Sequence, residues 1–182
     1  AKGHEFHKSR YKQEDLGKVI WYAGGKMDWD NVLGSHIGVD QVDNGQFEEL
    51  EKTDFATGCC VMISKEVFGS VGFFDKKYFL YYEDNDLSIR AKNKGFGIYF
   101  QPKSIIWHIN AGSTGGSGSS LHDYYISRNR LLFGFKYTSF KNYIFMGSLS
   151  PDIKLQIYNE FLRLIAPEEF FGNFNSLDIR IQ

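Results

Sequence analysis

The sequence predicts an α/β domain from its alternation of elements, and its length and charge bound that reading further. Short apolar runs bounded by glycine or proline alternate with stretches of helical spacing. The chain has 182 residues, enough for one domain with a real hydrophobic core. Lys and Arg number 21 against 22 Asp and Glu, so the chain lacks the basic excess of a dedicated nucleic-acid binder.

The elements follow in order. Residues 1–17 are polar, mixed in charge and without period; His4 and His7 are two potential ligands, too few for a zinc site. "KVIWYAGG", residues 18–25, predicts a short strand ended by a glycine turn. Residues 26–52 read as a long irregular excursion, a length often used for function. The run 59–63 in "FATGCCVMI" predicts a buried strand, with Cys59 and Cys60 as reduced core residues of a cytosolic protein. "SKEVFGSVG" predicts one or two helical turns closed by Gly72. "KYFLYY" reads as an aromatic strand, and "NDLSIRAKNKG" as a helix with Leu87, Arg90, Ala91 and Lys94 in amphipathic spacing and Gly95 just past its end. "GIYFQP" and "SIIWHIN" predict two short strands, and residues 111–120 a flexible Gly/Ser tract. "LHDYYISRNRLLFGFKY" predicts a helix with Leu121, Tyr125, Leu132 and Phe135 among its apolar positions. Ser150-Pro151-Asp152 is a helix start, and that helix runs to about Ile165. No apolar run approaches the ~18 residues of a membrane span, and no signal peptide is visible.

Chemistry concentrates in "YFLYYEDNDLSIR", residues 78–90, where Glu83, Asp84 and Asp86 fall within four positions. At a helix N-terminus such acids are favoured by unpaired N–H groups and the helix dipole. One acid suffices for a cap, and three at a strand-to-helix turn fit a site, with an ionised Asp taking a proton from an attacking hydroxyl. His108 ends the "SIIW" run; it is either a satisfied rim residue or a metal ligand if carboxylates approach it. Asp28-Trp29-Asp30 and Asp84-Asn85-Asp86 both have the D-x-D spacing that can hold Mg²⁺ or Mn²⁺ on a diphosphate, a pattern weak on its own.

Taken in order, "WYAGG", "TDFATGCCVMISKEVFGSVGFFD", "YFLYYEDNDLSIRAKNKGF", "IIWH", "GSTGG" and "YYISRNRLLF" resemble family 2 glycosyltransferases, especially the bacterial rhamnosyltransferase-like branch, over about residues 19–137. The resemblance implies a GT-A fold, with a mixed sheet flanked by helices and C-terminal helices beyond it. It implies inverting transfer of a sugar, rhamnose by analogy, from a nucleotide diphosphate to a glycan or lipid-linked acceptor in cell-surface polysaccharide synthesis. Asp84 maps to the general base. Glu83 and Asp86 would position acceptor hydroxyls or hold the turn. His108 would be a metal ligand, Trp107 would shape the sugar pocket, and Gly58 would let the chain approach the donor sugar. Ser113 and Thr114 lie in the expected mobile loop. Arg128 and Arg130 would meet phosphates, or line a solvated helix face.

The family's nucleotide-binding half, with its own D-x-D, lies N-terminal to everything matched, so the resemblance makes this chain the C-terminal part of a longer enzyme. A start at Ala1 fits that reading. Residues 1–137 are then the acceptor and catalytic-base part, and 138–182 a helical extension that packs on the domain or rests on a membrane. The Mn²⁺ or Mg²⁺ ion would need ligands from the N-terminal half. The expected location is the cytoplasm, at the inner face of the membrane. A parallel-rich sheet cut midway would expose edges and favour self-association. Two other readings compete: a non-catalytic glycan-binding or assembly module, and a metal-dependent hydrolase using Glu83, Asp84, Asp86 and His108.

Overall fold

The computed structural model describes residues 8–108 and 119–138. After two 3-10 turns at Lys8–Arg10 and Gln13–Asp15, the regular elements are β1 (Gly25–Asp28), β2 (Leu33–His36), β3 (Glu51–Lys52), α1 (Lys65–Val71), α2 (Glu83–Asn93), β4 (Tyr99–Phe100) and α3 (Ser120–Tyr137). The α/β class holds. Among the described residues the strands form two antiparallel pairs, β1 with β2 and β3 with β4. The parallel-rich sheet behind the self-association expectation is not among them.

Residues 26–52, read as an irregular excursion, contain the β1–β2 hairpin, in register from Gly25 opposite His36 to Asp28 opposite Leu33. Its turn is built by Asp28, whose carboxylate accepts from the backbone N–H groups of Asp30 and Asn31 and from the Asn31 amide. That chemistry hides the hairpin from a strand pattern: glycine, serine and aspartate occupy the strands, and the pairing does the rest. The predicted strand at 18–25 is regular only from Gly25. Upstream of it, the Val19–Val42 bridge and bonds from Ile20 to Gln41 and from Ala23 to Ile37 continue the antiparallel ladder. Gly25 has to be glycine, because a Cβ there would sit 2.6 Å from the Phe55 ring.

The helices follow local signals closely. α1 ends at Gly72, whose N–H donates to Phe68, and α2 is followed by Gly95 in the left-handed region (φ 88°). The apolar residues Leu87 and Ala91 of α2 are buried as its spacing implies. The predicted strand at 59–63 is absent: Met62 is 99% exposed and both cysteines are exposed free thiols, not core residues. An apolar run becomes a buried strand only with a neighbour to pair with, and among the described residues none lies beside it. "SIIWHIN" likewise forms no regular strand over its described residues. The Gly/Ser tract from 111 to 118, His4, His7 and the helix from Ser150 lie outside the described residues.

The core joins the hairpin to the two long helices: Met27 and Val32, Tyr78 and Tyr82, Ile89 of α2, and Leu131 and Phe133 of α3. α3 therefore presents a different face from the expected one. Leu121 and Phe135 are about half exposed, while Asn129, Leu131, Phe133 and Gly134 are buried. The helix is apolar on several sides, and a polar residue decides its rotation. Asn129 is fully buried, and its amide donates to the carbonyls of Tyr78, Leu80 and Tyr81 at 2.6–2.9 Å.

Replacing Asn129 by Ala would leave those carbonyls without their donor. Urea unfolding of Asn129→Ala is expected to show a loss of roughly 2–3 kcal/mol. A loss under about 0.5 kcal/mol would show that water satisfies the turn equally well.

Candidate active site

The segment before α2, read as an aromatic strand, is a turn. Phe79, Tyr81 and Tyr82 all have positive φ, between 59° and 67°. Bulky residues rarely adopt this region, and it costs free energy at each. Asn129 holds three carbonyls of the turn, and the Tyr82 hydroxyl donates to the Val32 carbonyl at 2.9 Å. Burial pushes the Tyr82 phenol up to about 12, so it stays a donor. Tyr82 is then the left-handed residue from which α2 starts, and Glu83, Asp84 and Asp86 fall in the first turn.

The three acids separate by role. Asp86 has no solvent exposure. Its oxygens accept from Arg90 Nε at 2.8 Å, Lys136 Nζ at 2.7 Å and the Tyr137 hydroxyl at 2.6 Å. Burial pushes its carboxyl up, but the three donors outweigh burial and hold it below the usual carboxylate range. Of the two roles expected for it, Asp86 has the surroundings of the one that holds the turn. Arg90 extends the lock by donating to the carbonyls of Val71, the last residue of α1, and Phe73 just beyond it.

Asp84 faces the other way, into a cleft of about 720 Å³ lined in part by Tyr22, Thr57, Cys59, Met62, Ser88 and Tyr99. Its Oδ2 accepts from Gly58 N at 2.9 Å, and its Oδ1 from Asn85 N at 2.8 Å and Asn85 Nδ2 at 3.2 Å. Burial raises its pKa, and the backbone donors only partly offset that. The outcome is a positioned carboxylate of enhanced basicity. Glu83, beside it, is pushed up to about 7, first by burial and then by the charge of Asp84. Its Oε2 is buried without a hydrogen-bond partner among the described residues. A Cβ on Gly58 would lie 3.7 Å from Asp84, ordinary contact, so Gly58 matters here for its N–H.

The loop carrying Gly58 is pinned to α2 at two further points. Ala56 N donates to Ser88 Oγ at 3.1 Å, and Lys92 Nζ meets Asp54 Oδ1 at 2.7 Å. Tyr22 closes the cleft from the other side; its hydroxyl donates to the Phe55 carbonyl at 2.6 Å, and burial pushes the phenol up to about 12. Tyr22, Ser88, Asn85 and Asn129 were not found from sequence. Each works through a partner remote in sequence or through an orientation; all four fall inside the segments that carry the resemblance, but nothing in those segments singles them out.

The other predicted residues are placed elsewhere. Trp107 is 66% exposed and donates from Nε1 to the Gly17 carbonyl at 3.0 Å. His108 packs on Trp21, with ring centroids 4.3 Å apart. Neither is among the residues lining the cleft. Arg128 donates to the Lys77 carbonyl and to Asn129 Oδ1, and Arg130 to the Asn31 carbonyl, so both fasten loops to α3. Asp28 is committed to its turn, accepting from the N–H groups of Asp30 and Asn31 and from the Asn31 amide. Ser113 and Thr114 lie outside the described residues. Among those residues no three His, Cys, Asp or Glu side chains group so as to hold a metal ion. They do not make a divalent-cation centre by themselves.

Comparison with known proteins identifies the frame. Residues 27–134 match the family model described as glycosyltransferase like family 2. Over 77 residues the chain is 35% identical to the N-acetylglucosaminyl-diphospho-decaprenol L-rhamnosyltransferase of Mycobacterium tuberculosis (strain ATCC 25618 / H37Rv), covering 40% of this chain and 25% of that protein. Over 69 residues it is 32% identical to the low-salt glycan biosynthesis hexosyltransferase Agl10 of Haloferax volcanii, covering 38% of this chain and 22% of the relative. The matches thus span about a quarter of those relatives. No solved structure matches. With more than half of its length inside one family model and the α/β elements that model implies, the chain belongs to glycosyltransferase family 2, of GT-A fold.

Proposed function

We propose that the chain supplies the acceptor side and the general base of an inverting glycosyltransferase. The observation that carries this reading is Asp84: a carboxylate raised in basicity, fixed by Gly58 and Asn85, and open to a large cleft. Asp84 takes the proton from an acceptor hydroxyl as that oxygen bonds to the anomeric carbon. The bond from that carbon to the diphosphate breaks, and the nucleotide diphosphate leaves with its electron pair. A base helps most when its pKa approaches the working pH, which is what burial does here. Glu83, pushed up to about 7, keeps its proton in about half of the molecules near neutrality, and in that form it can donate to an acceptor oxygen without adding a second charge beside Asp84.

Rhamnose as the sugar and a lipid-linked glycan as the acceptor are taken from the printed name of the mycobacterial relative. Synthesis at the cytoplasmic face of a membrane is the location proposed with them. No helix among the described residues is long and apolar enough to cross a membrane. Polysaccharide assembly is the setting this implies. A divalent cation at the donor diphosphate would stabilise the leaving group; His108 is the one residue here proposed as its ligand, with the others coming from the donor-binding half.

In the intact enzyme, Asp84→Asn is expected to keep the fold and lower transfer by about 10²–10⁴-fold, because an amide cannot take the proton. Turnover within about threefold of the parent, measured as nucleotide diphosphate release in the presence of acceptor, would remove Asp84 from that role.

Glu83 yields a stability prediction with a definite sign. Its folded value of about 7 lies above the ordinary 4.5. Between the two the folded state holds the proton and the unfolded state does not, so stability falls as pH rises through that window. Glu83→Gln removes the cost. Thermal melts are expected to show the variant more stable than the parent by roughly 1–3 kcal/mol above pH 7, and little different at pH 4. An offset independent of pH would place the effect in packing.

A further inference from the structure

We infer that Asn85 is a positioning residue for Asp84: it anchors Oδ1, so that Oδ2, beside Gly58, is the oxygen that receives a proton. The second half of that statement rests on the general-base reading above; the first rests on geometry alone.

Asp84 Oδ1 takes two donors from Asn85, the backbone N–H at 2.8 Å and the side-chain amide at 3.2 Å. Oδ2 takes one, from Gly58 N at 2.9 Å. The more heavily donated oxygen carries less available charge, so the asymmetry selects Oδ2 for proton transfer. The amide also has one way to face. Its Oδ1 is buried and accepts no hydrogen bond among the described residues. Turning the amide over would set that oxygen against the carboxylate, two acceptors in contact. The space for it comes from another element. At Gly34 in β2 a Cβ would lie 3.2 Å from Asn85 Oδ1 and 3.1 Å from the Phe55 ring. Gly34 has no positive φ, so its smallness rather than its flexibility is what Asn85 uses. The hairpin thereby sets the orientation of the carboxylate on α2.

Three titratable groups also face Asp84: Glu83 on the same helix, Tyr22 from the segment before β1, and Cys59 from the loop beyond Gly58. Tyr22 and Cys59 titrate well above the carboxylate range. Glu83 overlaps it, so the measurement is made in a Glu83→Gln background, where the two carboxyls cannot be confused.

The experiment is a ¹³C carboxyl titration of Asp84 in this 182-residue chain, its signal assigned by its loss in Asp84→Asn. Asn85→Ala removes the side-chain donor, and Asn85→Leu keeps the bulk without a donor or a charge. Gly34→Ala pushes the amide from outside the helix. Each folded variant is expected to raise the Asp84 midpoint by about half a pH unit or more, because a donor to the ionised form is lost or displaced. Should Asn85→Ala fail to fold, Asn85→Leu and Gly34→Ala still decide the matter. A midpoint moving by less than about 0.2 units in every folded variant overturns the inference. In the intact enzyme the acidic limb of the pH–rate profile is expected to rise in step. The two readings fail separately. Transfer by Asp84→Asn would sink the base assignment and leave the titration standing. An unmoved midpoint would sink Asn85 and leave Asp84 in place.

Discussion

A carboxylate removed from solvent has to be matched within the fold, and Asp86 is the point at which this structure meets that demand. Leaving such a charge unpaired costs several kcal/mol, so its partners are not optional. Arg90 comes from the same helix, one turn on, while Lys136 and Tyr137 come from the end of α3, 50 residues away. The contact therefore fixes where α3 lies against α2. Lys136 also reaches Asp75, and Arg90 the carbonyls at and just past the end of α1, so one buried charge gathers three helices. The tyrosines around it are held neutral by burial and by the same charge. A buried ion pair is weak evidence for net stability, but it is effective at enforcing one arrangement over others.

That arrangement matters because of what lies on the far side of the helix start. With Asp86 turned inward, Asp84 two positions earlier points outward to the cleft. Neighbouring acids on one helical turn thus have opposite environments and opposite shifts: donors pull Asp86 down, burial pushes Asp84 and Glu83 up. Divergent environments of adjacent carboxyls are how a single fold assigns different roles to the same chemistry. The repulsion that such a cluster would suffer is relieved in two ways here, by cation pairing at Asp86 and by proton retention at Glu83.

The legible parts of the sequence were those decided locally. α1 and α2 end where Gly72 and Gly95 stand, because a left-handed C-terminal residue is a local requirement. The acid cluster was legible as a candidate site because three carboxylates in four positions demand an explanation wherever they fold. What sequence reading missed was decided at long range. The run at 59–63 has the composition of a strand but lacks a described neighbour, and composition cannot report a neighbour. The rotation of α3 follows from Asn129 reaching carbonyls about 50 residues away, which no helical period announces. The β1–β2 hairpin is carried by Asp28 turn chemistry on residues of poor strand propensity, so its pattern is silent. Trp107 and His108 entered through the family resemblance, and the fold sets them against Gly17 and Trp21.

The turn at 78–82 shows how these terms combine. Three bulky residues at positive φ cost roughly 1 kcal/mol or more apiece, and no local feature of "YFLYY" compensates them. The compensation comes from α3, through Asn129, and from the hairpin, through Val32, which accepts from Tyr82. Without that turn the chain would enter α2 at a different angle, and the first-turn acids would rotate with it. A relaxed turn would be cheaper for the fold and would not hold Asp84 between Gly58 and Asn85. The strain therefore sits where orientation of one carboxylate is at stake, and the buried polar residues of the core, Asn129 and Asp86, are the elements that sustain it.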